Sequence, residues 1–218
     1  MDVEFSADGQ VAVIRGAGGG PFRHLQEALA PLTDGYTLRA AVLDFSDSAD
    51  GEHPGEAGQR WLERFPVPLI AALSGSVSNL SMARALGCDI RVASATLDAR
   101  LAPTASRRTL SLVRESGIVS LLETRGEVDA SLAVKIGLVS AVVEDAMVEA
   151  LRLARVIASR GPIAERFAKE SVWRGLEMPL SQALRFETDL TILLQSTKDR
   201  AEGVAAFVEK RTPAFKGD

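Results

Sequence analysis

The sequence is poor in the residues from which chemistry is most readily deduced. Among 218 residues there is one cysteine, Cys88, and there are two histidines, His24 and His53. A single cysteine excludes an intrachain disulfide and a cysteine zinc cluster. No run of about 18 uncharged apolar residues occurs, so no segment reads as a membrane-spanning helix. The first residues, Met1-Asp2-Val3-Glu4-Phe5, carry acids where a secretory signal has basic residues ahead of an apolar core. A cytoplasmic location is therefore expected. Charge of one sign is lacking too: 25 basic against 29 acidic residues leave a net charge of −4. That gives no general attraction to nucleic acid or to an anionic membrane, although a local pair such as Arg107-Arg108 could hold a phosphate. No internal repeat or low-complexity segment is evident.

What is present is ordinary globular material, 46% hydrophobic and 25% charged, enough for one large domain or a domain with an appendage. Val11–Ile14, Ala40–Leu43, Leu69–Leu73 and Ile90–Ala93 are short apolar runs that read as buried parallel strands. Phe22–Leu32 reads as a helix with Leu25, Leu29 and Leu32 on one stripe. Asn79–Leu86 reads as a second helix, with Ser78 or Asn79 able to cap it and Gly87 able to end it. This βαβα alternation predicts a parallel sheet with crossover helices. Beyond Gly137-Leu138-Val139 the pattern turns helical. Asp145–Ser159 carries Met147, Leu151, Ala154 and Ala158 at helical spacing, and Pro179 suits the first turn of another helix. Ala183, Phe186, Leu190 and Leu193 follow it, and Val204, Phe207 and Val208 form a further amphipathic turn. The chain thus divides into an α/β core over residues 1–160 and a helical region over 161–218.

The first strand runs into Gly16-Ala17-Gly18-Gly19-Gly20, and Asp44 ends the next strand, roughly where a dinucleotide fold places its ribose acid. The third glycine of G-x-G-x-x-G falls on Pro21, so the bland alternative is a flexible strand-to-helix turn.

The segment Pro66–Ala93, which contains Ala71-Ala72-Leu73-Ser74-Gly75 and Gly87-Cys88-Asp89-Ile90-Arg91-Val92-Ala93, resembles the signature of the enoyl-CoA hydratase/isomerase (crotonase) superfamily. Three further stretches resemble the same family in order: Thr124–Val139, Ala168–Ser171 and Thr197–Lys216. The resemblance implies a ββα spiral core and a C-terminal helical region that packs trimers, often paired into hexamers. It implies acyl-CoA thioesters as ligands, with coenzyme A entering as part of the substrate and no cofactor held permanently. It also implies an oxyanion hole, two backbone N–H groups that bond the thioester carbonyl. One donor maps to Leu80. The other lies near Asp47, since Phe45-Ser46-Asp47-Ser48-Ala49-Asp50 resembles the family's FSAGADL.

The acid/base positions depart from the pattern. One family glutamate maps to Ala83 and the other to Thr104 or Ala105, and neither alanine nor threonine moves a proton at neutral pH. Glu115 is the best replacement carboxylate, against a reading as a surface charge. Leu80 places a Cβ where the family has glycine. Arg84 replaces an apolar residue and points either to solvent or into the pocket. Ser78, Ser81 and Cys88 have no assignable base, and His53 reads as a loop residue. Phe207 and Lys210 map to positions that touch the coenzyme of a neighbouring subunit, against a reading as helix core and solvated charge. Two functions follow: an acyl-CoA hydratase or isomerase, or a non-catalytic acyl-CoA-binding or assembly paralogue. A nucleotide-binding domain is a third, resting on Gly16–Gly20 and Asp44 alone.

Overall fold

The protein is described by a computed structural model over residues 1–6, 8–33, 37–48, 51–101, 120–121 and 123–218. In chain order its elements begin with β1 (Asp2–Phe5), β2 (Val11–Arg15), α1 (Phe22–Leu29) and β3 (Ala40–Asp44). Next come α2 (Gly55–Glu63), β4 (Leu69–Leu73), β5 (Ser76–Val77), α3 (Asn79–Ala85), β6 (Ile90–Ser94) and β7 (Asp98–Arg100). Then follow β8 (Glu127–Asp129), α4 (Ala130–Lys135), β9 (Ala141–Val143) and α5 (Ala146–Ala158). Three more helices follow: α6 (Pro162–Gly175), α7 (Leu180–Gln195) and α8 (Lys198–Glu209).

The main sheet has the order β1-β2-β3-β4-β6-β9. Its core is parallel, as the continuous apolar runs require, with β1 added antiparallel at one edge. A second small sheet, β5-β7-β8, lies beside it. Alternation along each strand sends side chains to two different cores. Ala12, Ile14, Ala41, Leu43, Ala71 and Leu73 pack with Leu25, Leu29, Leu62 and Met82 from α1, α2 and α3. Val11, Val13, Val42, Ile70 and Ala72 pack with α5.

The expected strands fall where the apolar runs lie, and Ser78 is the cap of α3. Other expectations shift. The predicted helix to Leu32 changes at Ala30 into a 3₁₀ turn, Ala30–Thr33, where Pro31 has no N–H to offer the α-helical ladder. Helix α5 faces the sheet with Ala146, Ala150, Ala154 and Ala158 rather than with Met147 and Leu151. Small residues every four positions let its backbone approach closely, and the larger ones flank the contact. Gly87 follows the C-cap Leu86 without a left-handed turn, and its role is close packing: a Cβ there would stand 2.8 Å from Leu62 Cβ. Helix α2, begun after Pro54, was not foreseen in the sequence.

The last three helices gather at the end of the sheet where the parallel strands start. The ammonium of Lys169 on α6, its side chain 8% exposed, donates to Asp89 Oδ2 (2.7 Å) and Val67 O (3.1 Å), just ahead of β4. Arg39, just ahead of β3, donates through Nη2 to Phe215 O (3.0 Å) of the C-terminal tail. The apolar spacing foreseen on α7 and α8 is only partly packed within the chain. Leu190 is buried, whereas Leu193, Val204, Phe207 and Val208 are exposed, Phe207 at 85%. Leu180, Leu184 and Ile192 are exposed as well.

Candidate functional site

Three segments converge where β2, β3 and β4 end, the region in which open parallel sheets form their crevices. They are the glycine turn after β2, the loop after β3, and the start of α3. The chain reaches α3 through Gly75 (φ +62°) and the two-residue strand β5. Ser78 then caps the helix: its Oγ accepts the Ser81 N–H at 3.2 Å and lies 3.0 Å from Ser81 Oγ. Ser81, fully buried, donates its hydroxyl to Gly18 O (3.1 Å) and so ties the glycine turn to the first turn of α3. Leu80, half-buried, carries one of the first-turn amides for which no intrahelical carbonyl exists.

The sequence left Arg84 between solvent and pocket. The structure turns it inward and buries it completely. Its Nη1 donates to Ala17 O and Gly19 O (both 3.0 Å), and its Nε donates to Glu52 O (3.0 Å). Its Nη2 donates to Glu52 O (2.8 Å) and to Gly20 O. All five guanidinium N–H donors are therefore spent on four backbone carbonyls. Burial pushes the guanidinium below its ordinary value, and the nearby Glu52 charge offsets this in part. The Phe22 ring lies 5.7 Å from the guanidinium carbon. Glycine is needed opposite: a Cβ on Gly51 would stand 2.2 Å from Gly18 O and 2.8 Å from Arg84 Nη2.

The same contacts bear on the nucleotide alternative. A phosphate cradle presents backbone N–H groups. This turn presents three carbonyl oxygens to a cation, and its Ala17 and Gly19 N–H groups donate to Asp44 O and Gly16 O. Asp44 accepts from Ser46 N (2.9 Å) and faces Arg15 at 3.6 Å. The glycine turn is a structural seat for Arg84.

In the loop after β3, Asp47 adopts a left-handed backbone (φ +41°) and its N–H donates to Ser74 O at 3.0 Å. That amide is committed within the fold and does not serve as a free oxyanion donor. The Asp47 carboxylate accepts Ser76 N–H at 3.1 Å, bracing the turn into β5. Its neighbour Ser48 differs. The Ser48 Oγ is buried with no hydrogen-bond partner. It lies 2.7 Å from the point a Cβ on Gly18 would occupy, and Ser81 Oγ lies 2.7 Å from that same point. An unspent hydroxyl thus stands next to the first turn of α3, and nothing in the sequence singled it out.

Ala83 is buried on α3, and its carbonyl accepts Gln59 Nε2 at 3.1 Å from α2. His53 is exposed, its Nδ1 accepting Gly55 N–H at 2.9 Å within its own turn, and His24 is exposed on α1. Cys88 is fully buried. Thr104, Ala105, Arg107, Arg108 and Glu115 lie outside the described residues. Phe207 and Lys210 are exposed at the end of α8, where Lys210 takes a left-handed conformation (φ +55°). Their helix is latched to the starts of the strands, while Leu80 follows their ends, so one chain does not bring the three together. Among the described residues no cluster of three or more potential metal ligands occurs, and no helix is long and apolar enough to cross a membrane.

Comparison with known proteins agrees with this architecture. The enoyl-CoA hydratase/isomerase family profile matches residues 33–218. The chain is 36% identical over 172 residues to the mitochondrial methylglutaconyl-CoA hydratase of Rattus norvegicus, an alignment covering 72% of this chain and 55% of that protein. It is 37% identical over 173 residues to the 2,3-dehydroadipyl-CoA hydratase of Escherichia coli, covering 73% and 68%. The chain therefore spans between about half and two-thirds of the length of these curated relatives. The crystal structure of an enoyl-CoA hydratase from Bacillus anthracis superimposes with a TM-score of 0.88 at 27% identity, over 100% of this chain and 99% of that one. Its core, its helical C-terminal region and its sequence together place the chain in the enoyl-CoA hydratase/isomerase family.

Proposed function

We propose that the protein binds an acyl-CoA thioester at the first turn of α3 and does not hydrate an enoyl-CoA. The observation that carries this reading is the buried, unpartnered hydroxyl of Ser48 close to Ser81 in the first turn of α3, the turn in which Leu80 carries an amide with no intrahelical acceptor. Both are donors, and a thioester carbonyl is the acceptor that would satisfy them. The amide foreseen near Asp47 is replaced in this account by the Ser48 hydroxyl, because the Asp47 N–H already has an acceptor.

Hydration needs a base to activate water and an acid to protonate carbon. Ala83 offers a methyl group at the first of these family positions, and its neighbour Arg84 is a saturated cation that neither donates a proton nor has a free N–H for a ligand. These features favour a non-catalytic acyl-CoA-binding or assembly role over a hydratase. The exposed apolar residues of α7 and α8 support self-assembly through the C-terminal helices, with a trimer or a pair of trimers as the expected states. In such an assembly Phe207 and Lys210 of one copy would meet the coenzyme held by another, an apolar ring for adenine and a cation for phosphate.

Calorimetric titration with crotonyl-CoA tests the binding. Saturable heat that falls in Lys210→Ala, by an amount that shrinks with added salt, is expected. Leu80→Gly, which removes the Cβ beside the amide, is expected to strengthen binding. No heat from either protein would remove the ligand and leave only the fold.

A further inference from the structure

Every carbonyl of the glycine turn from Ala17 to Gly20 accepts from a side chain of α3. Arg84 donates to Ala17 O, Gly19 O and Gly20 O, and Ser81 donates to Gly18 O at 3.1 Å. The turn is thereby laid along the helix, and the loop after β3 is laid on the turn. Gly20 and Gly51 form a parallel bridge, and the Glu52 N–H donates to Gly20 O at 3.0 Å. Arg84 reaches this loop as well, since its Nε and Nη2 both donate to Glu52 O (3.0 and 2.8 Å). One planar guanidinium therefore staples helix, turn and loop into a stack.

Gly18 is the spacer of that stack. A Cβ on it would collide with Ser48 Cβ, and it would stand 2.7 Å from both the Ser48 and the Ser81 hydroxyl oxygens. A Cβ on Gly51 would collide with Gly18 O. The loop thus rests on Gly18 at two residues, Ser48 and Gly51. The Ser48 backbone is bridged to Val77, but its buried hydroxyl makes no hydrogen bond. Its orientation is left to packing, and Gly18 is part of that packing. We infer that Arg84 is a positioning residue: by holding turn and loop together it seats Gly18 against Ser48 and so fixes where the Ser48 hydroxyl stands. It touches no ligand itself, because all its donors are spent within the fold. The consequence for a ligand rests on the proposed reading of Ser48 as a donor to a thioester carbonyl. On that reading Arg84 governs the polarisation of a carbonyl that it never meets.

The test compares the unaltered protein with Arg84→Met, Arg84→Lys, Ser48→Ala and the double variant Ser48→Ala/Arg84→Met. Each is titrated with crotonyl-CoA while the ultraviolet band of the bound thioester is followed. The vicinal Hα–Hβ couplings of Ser48 are measured by NMR without ligand. Loss of one neutral hydrogen bond weakens an equilibrium by about 2–13-fold. Arg84→Met should weaken binding by about that factor and should reduce the band shift of the saturated complex, as Ser48→Ala does. The double variant should be no worse than either single one, because a residue that acts through Ser48 then has nothing to act on. A general loosening of the fold would instead add its loss to that of Ser48→Ala and leave the saturated band where it was. In the ligand-free protein the Ser48 couplings should pass from those of one staggered rotamer to averaged values. Arg84→Lys keeps the charge but not the fork, so it should move every reading in the same direction, and it serves should the methionine variant not fold. An unmoved band in the unaltered protein would remove the ligand and leave the couplings to decide the positioning alone. Ser48 couplings unchanged in a folded Arg84 variant, or losses that add in the double variant, would overturn the inference.

Discussion

Replacing Arg84 by methionine keeps the apolar stem and removes every donor. The guanidinium makes five hydrogen bonds to the carbonyls of Ala17, Gly19, Gly20 and Glu52, and the side chain is fully buried. A hydrogen bond to a charged group contributes about 1.5–3 kcal/mol, but five on one side chain are not additive. Removal leaves four carbonyls to be rehydrated or left bare. Breaking a buried charged network in this way costs about 3–5 kcal/mol. For a chain of this length that is a fall in melting temperature of about 6–20 °C. Lysine keeps the charge but offers three donors from a single point instead of a planar fork, so Arg84→Lys should recover less than half of the loss. The assay is urea unfolding followed by circular dichroism, with amide exchange at Glu52, whose N–H donates to Gly20 O at 3.0 Å. In Arg84→Met that amide should lose protection before the strands do. A loss under about 1 kcal/mol, or a lysine variant as stable as the parent, would refute the clasp.

Three further outcomes follow from the packing. Gly51→Ala sets a Cβ 2.2 Å from Gly18 O and should cost about 1–3 kcal/mol, measured by the same unfolding. Lys169→Met leaves the partly exposed Asp89 carboxylate with the Leu69 N–H but without its cation and should cost about 1.5–3 kcal/mol, with amides of α6 exchanging first. Glu202 is held down to about 2 by the hydrogen bonds from Arg211 and then from the Ala214 N–H. Its contribution is therefore complete above its ordinary 4.5 and is lost as pH falls from there through about 2. The tail around Ala214 should loosen in that window, and a Glu202 carboxyl that titrates near 4.5 by NMR would contradict the assignment.

Much of the fold was legible in the sequence because parallel strands buried on both faces read as plain apolar runs. Leu69–Leu73 has the predicted bounds, and every residue in it is buried. The missed elements are those without such a signature. Helix α2 opens Gly55-Glu56-Ala57-Gly58, where two glycines disguise it, and Gly58 is there because a Cβ would come within 2.7 Å of the Phe22 ring. Strands β5 and β7 span only two and three residues, too short for periodicity to register. The cap at Ser78 was readable because it is local chemistry. The fate of Arg84 was not, since its acceptors are carbonyls 32 to 67 positions away and carbonyls carry no sequence signal. Likewise a motif cannot show that the Asp47 N–H is spent on Ser74 or that the Ser48 hydroxyl is not.

Binding without hydration can be read from the ultraviolet spectrum of crotonyl-CoA mixed with an equal amount of the protein. The enoyl-thioester band reports both events at once: polarisation of the carbonyl moves it to longer wavelength, and addition of water across the double bond abolishes it. The expected result is a shifted band that persists over hours and shifts less in Ser48→Ala. A band that decays at enzymatic rates would contradict the loss of the acid/base pair, and an unshifted, unchanging band would contradict the binding site itself.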